Sequence, residues 1–192
     1  MPLPPAAPRR QLHTRRITFR GFQREDGDWD IEGDLLDTRT YTSQALEKGG
    51  MAPETPIHDI RVRVTVNDAL EVKDIAAQMS SVPFVACQPA LAPLRGLIGA
   101  TLGPGWRRSI DTHLGGTASC AHLRELLFNV ATAAYQTVPV YLAQAAGQSA
   151  PTSKQTPPLH MGKCTTWAFD GPLIRDHYPQ FINWVDPRRT KA

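Results

Sequence analysis

The chain has 192 residues, 41% hydrophobic and 20% charged, with a formal net charge of +3. That length suffices for one globular domain with its own core, and no apolar run reaches the ~18 residues of a membrane span. Three cysteines, Cys87, Cys120 and Cys164, make neither a disulfide framework nor a C-x-x-C zinc knuckle.

The N-terminus is rich in Pro and Arg and lacks the apolar stretch of a secretory signal, so residues 1–13 read as a flexible leader on a cytoplasmic protein. Ile17–Phe22 alternates as a strand. Asp26-Gly27 marks a turn, and Trp29–Tyr41 follows as a second strand with Trp29 and Ile31 inward. Residues 43–56 read as a loop. Ile60, Val62, Val64 and Val66 face one side of the clearest strand, and Leu70–Ser80 returns beside it. The second half changes period. Short helices are expected over Ala90–Ile98 and Trp106–Leu114. A long helix runs from about Ser119 to Val138, its apolar stripe starting at Leu123, Leu126 and Leu127 and ending or kinking at Pro139. Residues 147–158 read as an exposed loop. Cys164–Phe169 looks strand-like, and a short helix is expected after Pro172. Strands first and helices afterwards predict an α+β fold: an antiparallel meander of about four strands with helices on one face. It forms a single domain over 14–186, with a tail at 187–192.

The most informative stretch is Gly115-Gly116-Thr117-Ala118-Ser119-Cys120-Ala121-His122-Leu123. With Ser119 as cap, Cys120 sits in the first turn of the long helix, where free N–H groups and the helix dipole favour a thiolate. Residues two apart on a helix do not face each other. Cys120 is therefore expected beside Arg124, and His122 beside Glu125, which would hold its ring in one tautomer for a base or ligand. The dull alternative is a small packed cysteine and a capping histidine. Asp30 and Glu32 share a strand face with Asp28 and Asp34, as acid–base groups, as holders of a divalent cation, or as a solvated strand face and turn. His58, beside Asp59, is a base or ligand at a strand mouth, or a residue satisfying loop N–H groups. Arg15 and Arg16 can anchor an anion. Trp106 and Trp167 can stack on an aromatic substrate or pack in the core.

Several segments, taken in order, resemble the bacterial family of domain of unknown function 2889. They are Leu12-His13-Thr14-Arg15, the run Arg20–Gly27, Trp29-Asp30-Ile31-Glu32, Asp37-Thr38, Pro56-Ile57-His58-Asp59 and Leu102-Gly103-Pro104-Gly105-Trp106. The Cys120/His122/Leu123 helix start, Gln136-Thr137 and Cys164…Trp167 complete the set. The family's helix start reads Gly-Cys-Thr-His-Leu where this chain has Ser119-Cys120-Ala121-His122-Leu123. The family's last cysteine precedes a histidine where this chain has Thr165. The resemblance implies relatives and no activity. A looser likeness, of element order alone, is to iron–sulfur scaffolds of the IscU/SufE type, with Cys87 at a strand end and Cys120 at a helix start; fold likeness carries no function.

These readings point to a small cytoplasmic bacterial catabolic enzyme of lyase or hydrolase type, acting on a small anionic substrate, aromatic or acyl in character, in a cleft beside the Cys120 helix. Cys120, His122, Glu125, His58, Asp30 and Glu32 are the candidate catalytic groups; Arg15, Arg16 and Trp106 are the candidate substrate contacts. No dinucleotide fingerprint is present, so no nucleotide cofactor is expected. The aromatics are not interleaved with the early arginines, which argues against nucleic acid. Membrane association is not expected; a homo-oligomer is compatible. The alternative is a non-catalytic zinc or iron–sulfur scaffold with Cys87, Cys120, His122 and Cys164 as ligands.

Overall fold

A computed structural model describes residues 2–45, 47, 49–146, 156–158 and 160–185. The fold is α+β. Strands β1 (His13–Gln23), β2 (Trp29–Arg39), β5 (His58–Val66) and β6 (Val72–Ser81) form an antiparallel sheet in the order β1-β2-β5-β6. A small hairpin, β3 (Ser43–Ala45) with β4 (Gly49–Met51), interrupts the expected 43–56 loop. The first strand begins at His13, inside the expected leader, because its whole length finds partners on β2.

Alternation sorts the side chains into two faces. Trp29, Ile31 and Leu35 of β2 and Ile60, Val62 and Val64 of β5 are buried on the inner face. The residues between them point the other way, and the acidic ones there are ion-paired: Glu32 with Arg63, and Asp34 with Arg20 and Arg61.

The expected helix at Ala90–Ile98 is instead part of a 3-10 segment, Val85–Leu97. Pro89 and Pro93 remove the N–H donors that an α-helix would need there. Helix α1 covers Trp106–Leu114 and α2 covers Ala121–Ala145. Pro139 lies inside α2 without ending it, although it has no N–H to give to the helix. Leu123, Leu126, Leu127, Val130, Ala134 and Val138 form the buried stripe of α2. The helix runs along the sheet in the direction of β1: Glu125 meets Arg15, Leu126 lies at Gly33, and Thr137 lies at Gly21.

Two glycines set this close approach. A Cβ at Gly33 would lie 2.8 Å from Phe19 Cε1 and 3.3 Å from Leu126 Cδ1, and one at Gly21 would collide with the Thr137 side chain. Gly21→Ala is therefore expected to lower unfolding free energy by about 1–3 kcal/mol. Adding Thr137→Ala should recover most of the loss, as read from denaturant melts. Equal losses in the single and double variants would remove the glycine's packing role.

The chain divides into two compact units, residues 1–138 and 139–192. In the second, Met161, Ile174 and Phe181 form a small core lined by Trp167, Phe169, Tyr178 and Trp184. It contains helix α3 (Pro172–His177), as expected after Pro172, and a 3-10 turn, Pro179–Phe181. The Cys164–Phe169 stretch is a series of turns rather than a strand, closed by Trp167 N–H to Cys164 C=O at 3.1 Å. Most of the expected 147–158 loop and the 187–192 tail lie outside the described residues. Among the described residues, no helix is long and apolar enough to cross a membrane.

Candidate functional site

Strand register builds the site. Arg15 on β1, Asp37 on β2 and His58 on β5 are direct cross-strand partners, so all three occupy one row of the inner face. Asp37 is only 2% exposed. A buried carboxylate needs its lone pairs filled. Arg15 supplies two parallel bonds, Nε to Oδ1 and Nη2 to Oδ2, both 2.8 Å. His58 Nδ1 lies 2.9 Å from Oδ2, and His13 Nε2 lies 3.3 Å from Oδ1. Burial would raise the Asp37 pKa. The hydrogen bonds and charge of Arg15, with those of His58, outweigh it and hold the group at about 2. His58 moves down from the usual histidine value, first through burial and then through the neighbouring His122, against the pull of Asp37.

Helix α2 delivers the second half of the site. The Cys120 carbonyl accepts the first helical bond, from Arg124 N–H at 3.0 Å, which makes Cys120 the N-cap residue. Ser119 is not the cap; its hydroxyl donates to Ala90 C=O at 2.7 Å and ties the 3-10 segment to the helix start. Standing at the cap, outside the helix proper, frees the Cys120 side chain from helical spacing. The expectation that Cys120 and His122 point apart is thereby overturned: Sγ lies 3.7 Å from His122 Nδ1. The His122 ring packs on the His58 ring, with centroids 4.0 Å apart and planes 38° apart.

The expected helix-face partners are likewise replaced. Arg124 donates to Leu114 C=O and Gly116 C=O, both at 3.3 Å. Glu125 accepts from Arg15 Nη1 at 2.9 Å and sits at the edge of the cluster. An unbroken line of contacts thus runs Arg15–Asp37–His58–His122–Cys120. Cys120 also borders a cavity of about 310 Å³ lined by Ala86, Cys87, Pro89, Ala90, Thr117, Ala118 and Ser119. Cys87 and Cys120 therefore open onto the same space.

Other sequence candidates lie elsewhere. Asp30 accepts the Thr65 hydroxyl at 2.6 Å and Glu32 pairs with Arg63, both away from the inner face. Arg16 lines an open groove of about 720 Å³ on that outer face, with Arg20, Arg61, Glu32 and Asp34. Arg15 is occupied by Asp37 and Glu125, so it holds the site together rather than reaching outward. Trp106 is buried, its Nε1 donating to Leu127 C=O at 2.8 Å. Trp167 packs on His160 and Tyr178 in the second unit. Cys164, also in that unit, is exposed. Among the described residues, the donors that cluster tightly enough for a metal are Asp37, His58 and His122, with atoms within 4.8 Å of one another. Neither Cys87 nor Cys120 belongs to that trio.

The sequence reading missed Asp37 and His13 as site residues. Asp37 has the same parity on β2 as Trp29, Ile31 and Leu35, and a carboxylate on the apolar face of a strand was the signal.

The family described as protein of unknown function (DUF2889) matches residues 13–136. The chain belongs to that family. The match spans the sheet, the 3-10 segment and the helix start, so every residue of the Arg15–Cys120 line falls inside the DUF2889 region. No curated protein and no solved structure matches the chain.

The site's own contribution to the acid limb of stability comes from Asp37 and His58. Asp37 has an ordinary value of 3.8 and a folded value of about 2. The unfolded chain therefore binds its proton first, and the contribution is complete above about 4 and lost as pH falls towards 2. His58, lowered from 6.5, has the same sign in a higher window. Its contribution is present above 6.5 and fades as pH falls below it. Melting temperature should decline in both windows on acidification, and Asp37→Asn should flatten the lower one by roughly 2–3 kcal/mol. An unchanged acid limb in that variant would contradict the assignment.

Proposed function

We propose that this DUF2889 protein is a small enzyme of hydrolase or lyase type, with its reacting groups at the Cys120 end of the contact line and its substrate in the adjoining cavity. The observation that carries this reading is the continuity of the line. A buried, arginine-clamped carboxylate fixes one imidazole, that imidazole packs on a second, and the second meets a cysteine facing open space. Buried charge is costly, and such an arrangement serves chemistry better than packing.

In a hydrolase, His122 Nδ1 takes the Cys120 thiol proton, and the thiolate sulfur bonds to an acyl carbon. The leaving group departs with the proton from the imidazolium. Water, deprotonated by the same nitrogen, then cleaves the thioester and restores the thiol. In a lyase, an imidazole removes a proton from carbon, and the electron pair expels the neighbouring substituent. The free N–H groups at the start of α2 suit a negatively charged substrate or oxyanion. Small lining residues suit a small acyl or aromatic group. The reading includes a cytoplasmic setting and no nucleic-acid or membrane partner.

The test is turnover of a panel of small esters, thioesters and β-substituted carboxylic acids by the tag-free protein. Wild type should turn over at least one class. Cys120→Ala should abolish turnover in the hydrolase case, and His122→Ala should lower it about 10²–10⁴-fold in either case. No turnover across the panel, or full turnover in both variants, would contradict the reading.

A further inference from the structure

We infer that Asp37, His58 and His122 hold a divalent transition-metal ion of the borderline class, such as Zn²⁺, Co²⁺ or Fe²⁺. The inference deepens the catalytic reading and rests on it only for what the ion would do, not for whether it binds. Two imidazoles and one carboxylate are the mixed N/O set that such ions prefer, and they leave coordination positions open for water or substrate.

The geometry supports this set over the thiolates. Asp37 Oδ2 and His58 Nδ1 are 2.9 Å apart, joined by a hydrogen bond whose proton the ion would displace and release. Two ligands about 2.1 Å from one ion are separated by about 3.0 Å at a right angle and about 3.4 Å at the tetrahedral angle. One donor atom from each of Asp37, His58 and His122 lies within 4.8 Å of the others, and His122 is half-buried.

Arg15 stays on Asp37 through bonds to both oxygens, orienting the carboxylate behind the ion. Its charge does not forbid a cation, because Glu125 shares it at 2.9 Å: two carboxylates and one guanidinium leave one negative charge for the ion. Cys120 Sγ, 3.7 Å from His122 Nδ1, then serves as a neighbour of a ligand rather than as a ligand. A bound ion would supply Lewis-acid chemistry beside Cys120, with Asp37, His58 and His122 holding it.

The experiment is an optical titration with Co²⁺, and a competition with Zn²⁺, on tag-free, chelator-treated protein. Uptake of one ion per chain is expected, with a visible band. His58→Ala and His122→Ala should each weaken binding by about 100-fold or more, and Cys120→Ser by less than about threefold. His122→Asn, which keeps a polar helix start, repeats the measurement should His122→Ala unfold. No uptake by wild type, or unchanged affinity in the histidine variants, overturns the inference. So does loss of binding in a Cys87→Ser/Cys120→Ser variant that keeps both histidines. Binding without turnover would leave the ion and remove the catalytic reading; turnover by chelator-treated protein that takes up no ion would do the reverse.

Discussion

Replacing Asp37 with alanine is expected to lower unfolding free energy by about 3–5 kcal/mol and to abolish any activity of the site. The side chain is 3% exposed and accepts from Arg15 and His58, with His13 3.3 Å away. Removing it leaves the His58 imidazole and the Nε and Nη2 groups of Arg15 without their acceptor, with only Nη1 still held by Glu125, and that loss exceeds the net value of the ion pair itself. Asp37→Asn keeps the volume and loses the charge, so it should recover part of the stability and little of the activity. Glu125→Gln is the control. Glu125 is 55% exposed, and breaking its bond to Arg15 should cost less than about 1 kcal/mol. Denaturant melts on the three variants check the order. Equal losses for Asp37→Ala and Glu125→Gln would show that Asp37 is not the structural centre of the cluster.

Replacing His122 with alanine should have the opposite profile: a small stability change and a large functional one. The ring is half-buried at the start of α2, outside the apolar stripe, so the cost in stability should stay within about 1 kcal/mol. Turnover should fall about 10²–10⁴-fold, the range expected when a positioned proton acceptor is lost. Melting and kinetics measured on the same preparation separate the two effects. A destabilised variant that keeps its turnover would make His122 a packing residue.

The fold was largely legible in the chain because its signals are local. Alternation at Ile60–Val66 and the 3.6-residue stripe from Leu123 each depend on one stretch of sequence. The errors arose where short-range rules yielded to context. Two prolines made a 3-10 segment of the expected helix at Ala90–Ile98, and full pairing with β2 drew His13–Arg16 into a strand.

The site was half legible. Cys120, His122 and His58 could be named from their places at element ends. Asp37 was hidden because its role depends on register: only the pairing of β1, β2 and β5 puts Arg15, Asp37 and His58 in one row. The Cys120–His122 contact was hidden by a shift of one position in the helix cap, which reversed the predicted geometry.

The central claim is that the Asp37-to-Cys120 line works as one unit. It is tested most directly by a double-variant cycle on kcat/KM with His58→Ala, His122→Ala and both together. Groups that act as a unit are strongly non-additive. The double variant should therefore lose no more than the worse single variant. Losses that multiply would mean two independent contributions and would contradict the account.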